Sequence, residues 1–273
     1  MENIRNKNIV VTGCTGGIGS SVCRLLKING AKIIGISRGI QPSAEIINLS
    51  DLFVSHNLEV PLPAGKINEV VTESGKIDCL IHTAGLLIPS QLIDLSESEI
   101  ISLINANLLS TIHIIKAVLP VMKQQGSGQI IVVGSLGGII PMPYESVYAA
   151  AKFGVRGLCL SLVEELKKDG IKISLVSAGP VKTQMLDKES ADENSVVTFI
   201  AKPLSPECIA NAIVKLILHP KTEVILPGYS RIISILLNYL PGLFYKIFTL
   251  IKPVGRRRLN QYRSEYLQKI ISE

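Results

Sequence analysis

The chain has 273 residues, of which 47% are hydrophobic and 18% charged, with a formal net charge of +6. Those proportions exclude a disordered chain, and the length suits one large α/β domain with a substantial core. Aromatic residues make up only 4%, tryptophan is absent, and the densest basic run is Arg256, Arg257 and Arg258 near the C-terminus, which argues against a nucleic-acid groove; a basic face suits acidic lipid or a phosphorylated cofactor better.

Short apolar runs alternate with longer helix-periodic ones, the pattern of a parallel sheet with crossover helices. The first strand, residues 9–11, leads into a glycine-rich turn and a helix over 18–28. In that turn Gly13 permits a tight bend, Gly17 lets backbone N–H groups approach a pyrophosphate, and Gly19 lets the helix pack closely. The spacing is G-x-x-x-G-x-G, wider than G-x-G-x-x-G. The second strand, 32–36, ends at Ser37 and Arg38, with no acid to grip a ribose hydroxyl. A serine and an arginine there suit a 2′-phosphate, so NADP(H) is expected over NAD(H).

Further strands are expected at 53–54, 79–81, 130–133, 173–176 and 224–226, and helices at 97–121, 147–168 and 206–218. Ser96 and Glu99 form a capping box, Ser205 precedes a proline at the first helical position, and Gly30 and Gly170 follow helix ends. Tyr148 and Lys152 stand four apart, on one face of the 147–168 helix, so the ammonium is expected to lower the phenol pKa and ready it for proton transfer. Ser135 ends a strand thirteen residues upstream of Tyr148. Residues 184–194 are charged and expected to be mobile at their tip.

Residues 232–251 are strongly apolar but interrupted by Asn238, Pro241, Gly242 and Lys246, which disfavours a spanning helix and predicts two short helices broken at Pro241–Gly242. They are open to several readings: packing on the core, a roof over a hydrophobic substrate pocket, an oligomer contact, or peripheral membrane contact anchored by the three arginines. Five cysteines without a C-x-x-C pair point to reduced thiols and a cytoplasmic setting, with or without membrane association. The four histidines show no metal-ligand spacing, and no metal is expected. The polar N-terminus leads directly into a strand, and no secretory signal is visible.

Together these residues resemble the short-chain dehydrogenase/reductase family in its single-domain form, over about residues 5–226. The carriers are Thr12-Gly-x-x-x-Gly-Ile-Gly19, the run from Asp78 to Gly85, Asn107, Ser135, Tyr148 with Lys152, and the run from Ala178 to Thr183. The resemblance implies a doubly wound Rossmann-type parallel sheet of about seven strands in the order 3-2-1-4-5-6-7, with an apolar helical C-terminal extension. A dinucleotide-binding catalytic domain would span 1–228 and a hydrophobic, basic extension 229–273.

It further implies an oxidoreductase that interconverts a carbonyl and a secondary alcohol, with a homodimeric or homotetrameric assembly. Tyr148 would be the acid/base, Lys152 would tune it and hold the nicotinamide ribose, Ser135 would hold the reacting oxygen, and Asn107 would keep a helix opened. Gly13, Thr15, Gly17, Ile18, Gly19, Ser37, Arg38, Asn57, Leu58, Ala84, Gly85, Gly179, Val181 and Thr183 would line the cofactor, with Tyr148 and Lys152. The greasy tail implies a hydrophobic substrate. A dinucleotide-sensing regulatory or scaffold protein is the competing reading. Two departures stand out: His82 and Thr83 occupy positions where the family carries asparagines, and His82 is expected to be a core histidine satisfied by backbone bonds.

Overall fold

The computed structural model describes residues 4–39, 44–63, 65–67, 70 and 75–272. Seven strands form one sheet: β1 (Asn8–Thr12), β2 (Lys32–Ser37), β3 (Leu52–Ser55), β4 (Cys79–His82), β5 (Gly128–Ser135), β6 (Ile171–Ala178) and β7 (Glu223–Leu226). Every pairing is parallel and the order is β3-β2-β1-β4-β5-β6-β7, as expected.

Nearly every strand is aliphatic because both faces are covered. Val10, Ile34, Leu80, Ile130 and Val132 point to one face, where they meet Ile114, Val118 and Met122 of α4 (Ser110–Gln125) and Val155, Leu162 and Leu166 of α5 (Ser146–Lys167). Their strand neighbours Ile9, Val11, Ile33, Ile81 and Ile131 point to the other. There they meet Val22 and Leu26 of α1 (Gly17–Ile28) and Ile209 and Ile213 of α7 (Pro206–Leu218). Burying a side chain of this size contributes about 1.5–3 kcal/mol.

The helix ends follow the expected caps. Ser96 and Glu99 make a reciprocal capping box at α3 (Glu97–Ile104), and Ser205 accepts from Cys208 N at 3.3 Å. Gly30 and Gly170 take φ of 76° and 70°. Two short helices, α2 (Ala44–Leu49) and α6 (Gln184–Ser190), carry no comparable sequence signal.

Three expectations need correction. The helix expected at 97–121 is broken between α3 and α4 by a π-helical stretch, Asn105–Leu109. The tail is not two short helices: α8 (Ser230–Tyr239) ends before Pro241, but α9 (Pro241–Ser272) runs for 32 residues, with Pro253 inside it. The charged 184–194 segment is held down, because Tyr262 Oη donates to Asp187 Oδ1 at 2.7 Å and Arg263 donates to the Ser190 and Ala191 carbonyls. Leu259 and Tyr262 of α9 pack with Leu186, Val196 and Phe199, and Phe244 packs with Leu237 and Val197. The extension is thereby fastened to α6 and to the segment from Val196 to Phe199. The two helical stretches long and apolar enough to cross a membrane among the described residues, Glu97–Gln125 and Ser146–Lys167, are the ones packed on the sheet.

Candidate active site

The site begins where β1 turns into α1. Gly13 has φ +68°, and a Cβ there would stand 2.8 Å from Ala84 N, so the turn rests directly on the end of β4. The helix has Gly16 at its N-cap, which offers no side-chain cap, and carries no acid in its first turn. Its first N–H groups are left as donors at a positive helix end, which fits a pyrophosphate.

A cavity of about 370 Å³ opens at this point. Among the expected cofactor residues, Gly13, Thr15, Gly17, Ile18, Gly19, Ser37 and Arg38 line it, and so do Asn57, Leu58, Ala84, Gly85 and Thr183. Gly179 and Val181 instead line a second cavity. Thr15 and Ser37 share a 2.7 Å hydrogen bond between their hydroxyls. Arg38 reaches across to Glu59, with Nη1 to Oε1 at 3.1 Å. Glu59 lies on the loop after β3, and no sequence signal marks it.

Tyr148 and Lys152 lie on the same face of α5, as their spacing requires, with Lys152 Nζ 5.5 Å from the Tyr148 ring centroid. Both are buried, at 9% and 6% exposure. Ser135 stands at the end of β5 and hydrogen-bonds the Tyr148 phenol. The short turn that follows holds the two elements together: a Cβ at Gly138 would meet the Lys152 carbonyl at 2.6 Å, so only glycine lets the turn lie on α5.

Asn107 sits in the π-helical stretch and is fully buried. Its Nδ2 donates to Leu86 O at 2.7 Å and Leu103 O at 2.9 Å, while Oδ1 accepts from Leu86 N at 3.3 Å. The widened turn is therefore stitched to the loop after β4. A Cβ at Gly85 would lie 3.0 Å from Asn107 Oδ1 and 3.5 Å from Lys152 Nζ, which places both polar ends beneath that loop.

The electrostatics differ from the sequence expectation in one respect. Burial pushes the Tyr148 phenol above its ordinary value; the Ser135 hydrogen bond lowers it, and Glu145 and Glu189 raise it. Lys152 is not among the groups that shift the phenol, and burial lowers its own pKa to about 8. His82 was expected to bond to the backbone, yet its ring meets hydroxyls: Nδ1 lies 2.7 Å from Thr12 Oγ1 and Nε2 3.5 Å from Ser110 Oγ. Thr83 takes over part of the strand pinning by donating to Thr12 O at 2.7 Å.

Ser135 and Tyr148 face the second cavity, of about 660 Å³. Its walls are mainly apolar and include Ile233 and Leu237 of α8 with Phe244, Ile247 and Phe248 of α9. Ile18, Leu87, Thr183 and Met185 line both cavities, so the two adjoin along these residues. Glu145, Glu189 and Thr198, none of them singled out in the sequence, also line the larger one.

The comparisons agree with this geometry. A family model described as short chain dehydrogenase matches residues 7–194. The chain is 30% identical over 229 residues to an uncharacterized oxidoreductase of Staphylococcus epidermidis, covering 81% of this chain and 94% of that protein. It is 31% identical over 209 residues to human 17-beta-hydroxysteroid dehydrogenase type 1, covering 70% of this chain and 63% of that protein. The crystal structure of gox2181 superposes with a TM-score of 0.75 at 21% identity, over 82% of this chain and 96% of that one, a likeness of fold. The chain belongs to the short-chain dehydrogenase/reductase family and is an oxidoreductase of that NAD(P)(H)-binding lineage.

Proposed function

We propose that the protein interconverts a carbonyl and a secondary alcohol on a hydrophobic substrate, with NADP(H) as cofactor and Tyr148 as acid/base. The observation that carries this reading is the junction of two cavities along Ile18, Leu87, Thr183 and Met185, one lined by the glycine turn and Arg38, the other apolar and lined by Ser135 and Tyr148. When bound, the nicotinamide supplies or accepts the hydride. The chain supplies the rest. In reduction, Tyr148 gives its phenolic proton to the carbonyl oxygen as that oxygen gains charge, and in oxidation it takes the proton back. Ser135 donates a hydrogen bond to the same oxygen and fixes its position. Lys152, as an ammonium, stabilises the phenolate left behind and would hold the nicotinamide ribose. Asn107 keeps the π-helical turn open against Leu86, where a water could relay protons to Lys152.

The preference for NADP(H) is supported by Ser37 and Arg38 at the rim of the smaller cavity. A hydrophobic substrate is supported by the apolar walls that α8 and α9 add, and one relative is named for a hydroxysteroid. Exposed Ile232, Leu236, Tyr239 and Leu250 near Lys246 and Arg256 support peripheral membrane contact of a cytoplasmic protein. We place the protein as a homodimer or homotetramer, the assembly implied by the resemblance.

The test is NADPH oxidation with a long-chain ketone. Tyr148→Phe is expected to lower turnover by at least about a hundredfold, with NADPH binding retained by fluorescence titration. Substantial turnover in the Phe variant would assign the proton to another group.

A further inference from the structure

The wall of the apolar cavity contains two acids that the proton transfer described above does not use. Glu145 stands at the N-cap position of α5, three residues before Tyr148, without a side-chain capping bond, and Glu189 comes from α6. They are 3% and 5% exposed and hydrogen-bond each other. Thr198 Oγ1 donates to Glu145 Oε1 at 3.3 Å, and Glu189 Oε1 has no hydrogen-bond partner.

Neither acid forms an ion pair among the described residues. The cation on the same wall, Arg258, donates instead to the Ile200 carbonyl. Asp192 adds to the negative potential at Glu145. Burial raises both carboxyls, Glu189 to about 7 and Glu145 well above its ordinary value, so near neutrality the pair holds at least one proton and at most one negative charge. A buried charge of that kind is costly unless a counter-charge and hydrogen-bond donors meet it.

The position narrows what the partner is. Both acids line the same cavity as Tyr148 and Ser135, and Glu145 stands one helical turn before Tyr148, so whatever they bind shares that cavity with the reacting oxygen. A metal ion is a poor match, because no group of three or more His, Cys, Asp or Glu suited to one exists among the described residues. A lone hydroxyl supplies a single donor and no charge, whereas an ammonium supplies three donors and the missing charge.

We propose that Glu145 and Glu189 form the polar subsite of the substrate cavity and bind a primary ammonium carried beside the reacting carbonyl of a long-chain substrate. This rests on the reading that the larger cavity holds the carbonyl substrate, and it names that substrate as a cationic amphiphile. The apolar tail lies against Ile233, Leu237, Phe244 and Phe248. A cation held there also weakens the negative field that opposes ionisation of Tyr148, so binding of the head group favours proton transfer.

The experiment compares three ketones of equal chain length, bearing an amine, a hydroxyl or nothing at the carbon next to the carbonyl, with NADPH. The amino ketone is expected to exceed the unsubstituted one in kcat/KM by at least about tenfold, and Glu189→Gln to shrink that ratio by a similar factor. Turnover of all three with ratios within about twofold, unchanged in Glu189→Gln, would overturn the subsite while leaving the carbonyl chemistry intact. Absence of turnover with every ketone would count against the proposed reaction instead. Calorimetry on the wild-type protein keeps the subsite testable if the variant does not fold or no ketone turns over. Dodecylamine is expected to bind at least about tenfold more tightly than dodecanol, and equal affinities would overturn the ammonium assignment.

Discussion

Arg38 is held by Glu59 at 3.1 Å on the rim of the dinucleotide cavity, with the guanidinium side chain 61% exposed and the carboxylate side chain 20% exposed. The pair engages the cation proposed to meet a 2′-phosphate and sets a negative charge beside that phosphate. Rim pairs of this exposure are worth about 0.2–1 kcal/mol.

Glu59→Gln is therefore expected to lower KM for NADPH by roughly two- to fivefold and to leave KM for NADH nearly unchanged. Arg38→Ala should raise KM for NADPH and narrow the preference. Equal effects on both dinucleotides would place Arg38 away from the phosphate.

Lys152 gives a pH dependence. Its folded pKa is about 8, lowered from 10.5 by burial, so its ammonium is lost as pH rises through about 8. Below that value the phenolate formed in reduction has a cation beside it, and above it has none. Rates of reduction should fall above pH about 8. Lys152→Arg keeps the charge and should move the fall to higher pH, at a lower plateau, because arginine does not deprotonate in this range. An alkaline limb that stays near 8 in the arginine variant would belong to a different group.

His82 affects stability rather than rate. Its folded pKa is lowered to about 3, by burial first and by Lys152 second, against 6.5 when unfolded. Between those values the unfolded chain binds the proton and the folded one does not, so stability falls as pH drops from 6.5 toward 3. The slope from one such group is at most about 1.4 kcal/mol per pH unit. Urea titrations at pH 7 and pH 5 should show a smaller acid loss in His82→Asn than in the wild type, whatever its stability at pH 7. An identical loss would mean that other groups carry the acid sensitivity.

What was legible in the sequence follows a physical divide. The strand order, the glycine turn and the Tyr148–Lys152 face depend on local patterns: aliphatic runs, a positive-φ position and a spacing of four. Asn107 was legible as a position, and the π-helical stretch around it places its side chain on Leu86 as a helix of regular pitch would not. Glu59 and Glu189 were not legible because each matters through a partner far along the chain, Arg38 and Glu145, and neither sits in a local pattern. Glu145 is close to Tyr148 in sequence, but a single acid before a helix reads as an ordinary cap. The clamp of α9 on α6 was hidden for the same reason, since its residues are 75 apart.

That clamp yields the last prediction. Tyr262 Oη donates to Asp187 Oδ1 at 2.7 Å, and Arg263 donates to the carbonyls that end α6. These bonds fix the helix that carries Glu189 and part of the cavity wall, so loosening them should be felt by substrate before cofactor. Tyr262→Phe removes a hydrogen bond to a charged group and is expected to cost about 1.5–3 kcal/mol of stability at most, less where water replaces the hydroxyl. KM for the ketone should rise several-fold while KM for NADPH moves little, because the smaller cavity rests chiefly on β1, β2 and α1. Steady-state kinetics with each substrate varied in turn reads both values. A rise confined to NADPH would show that α6, which also lends Gln184, Met185 and Lys188 to the smaller cavity, governs the cofactor instead.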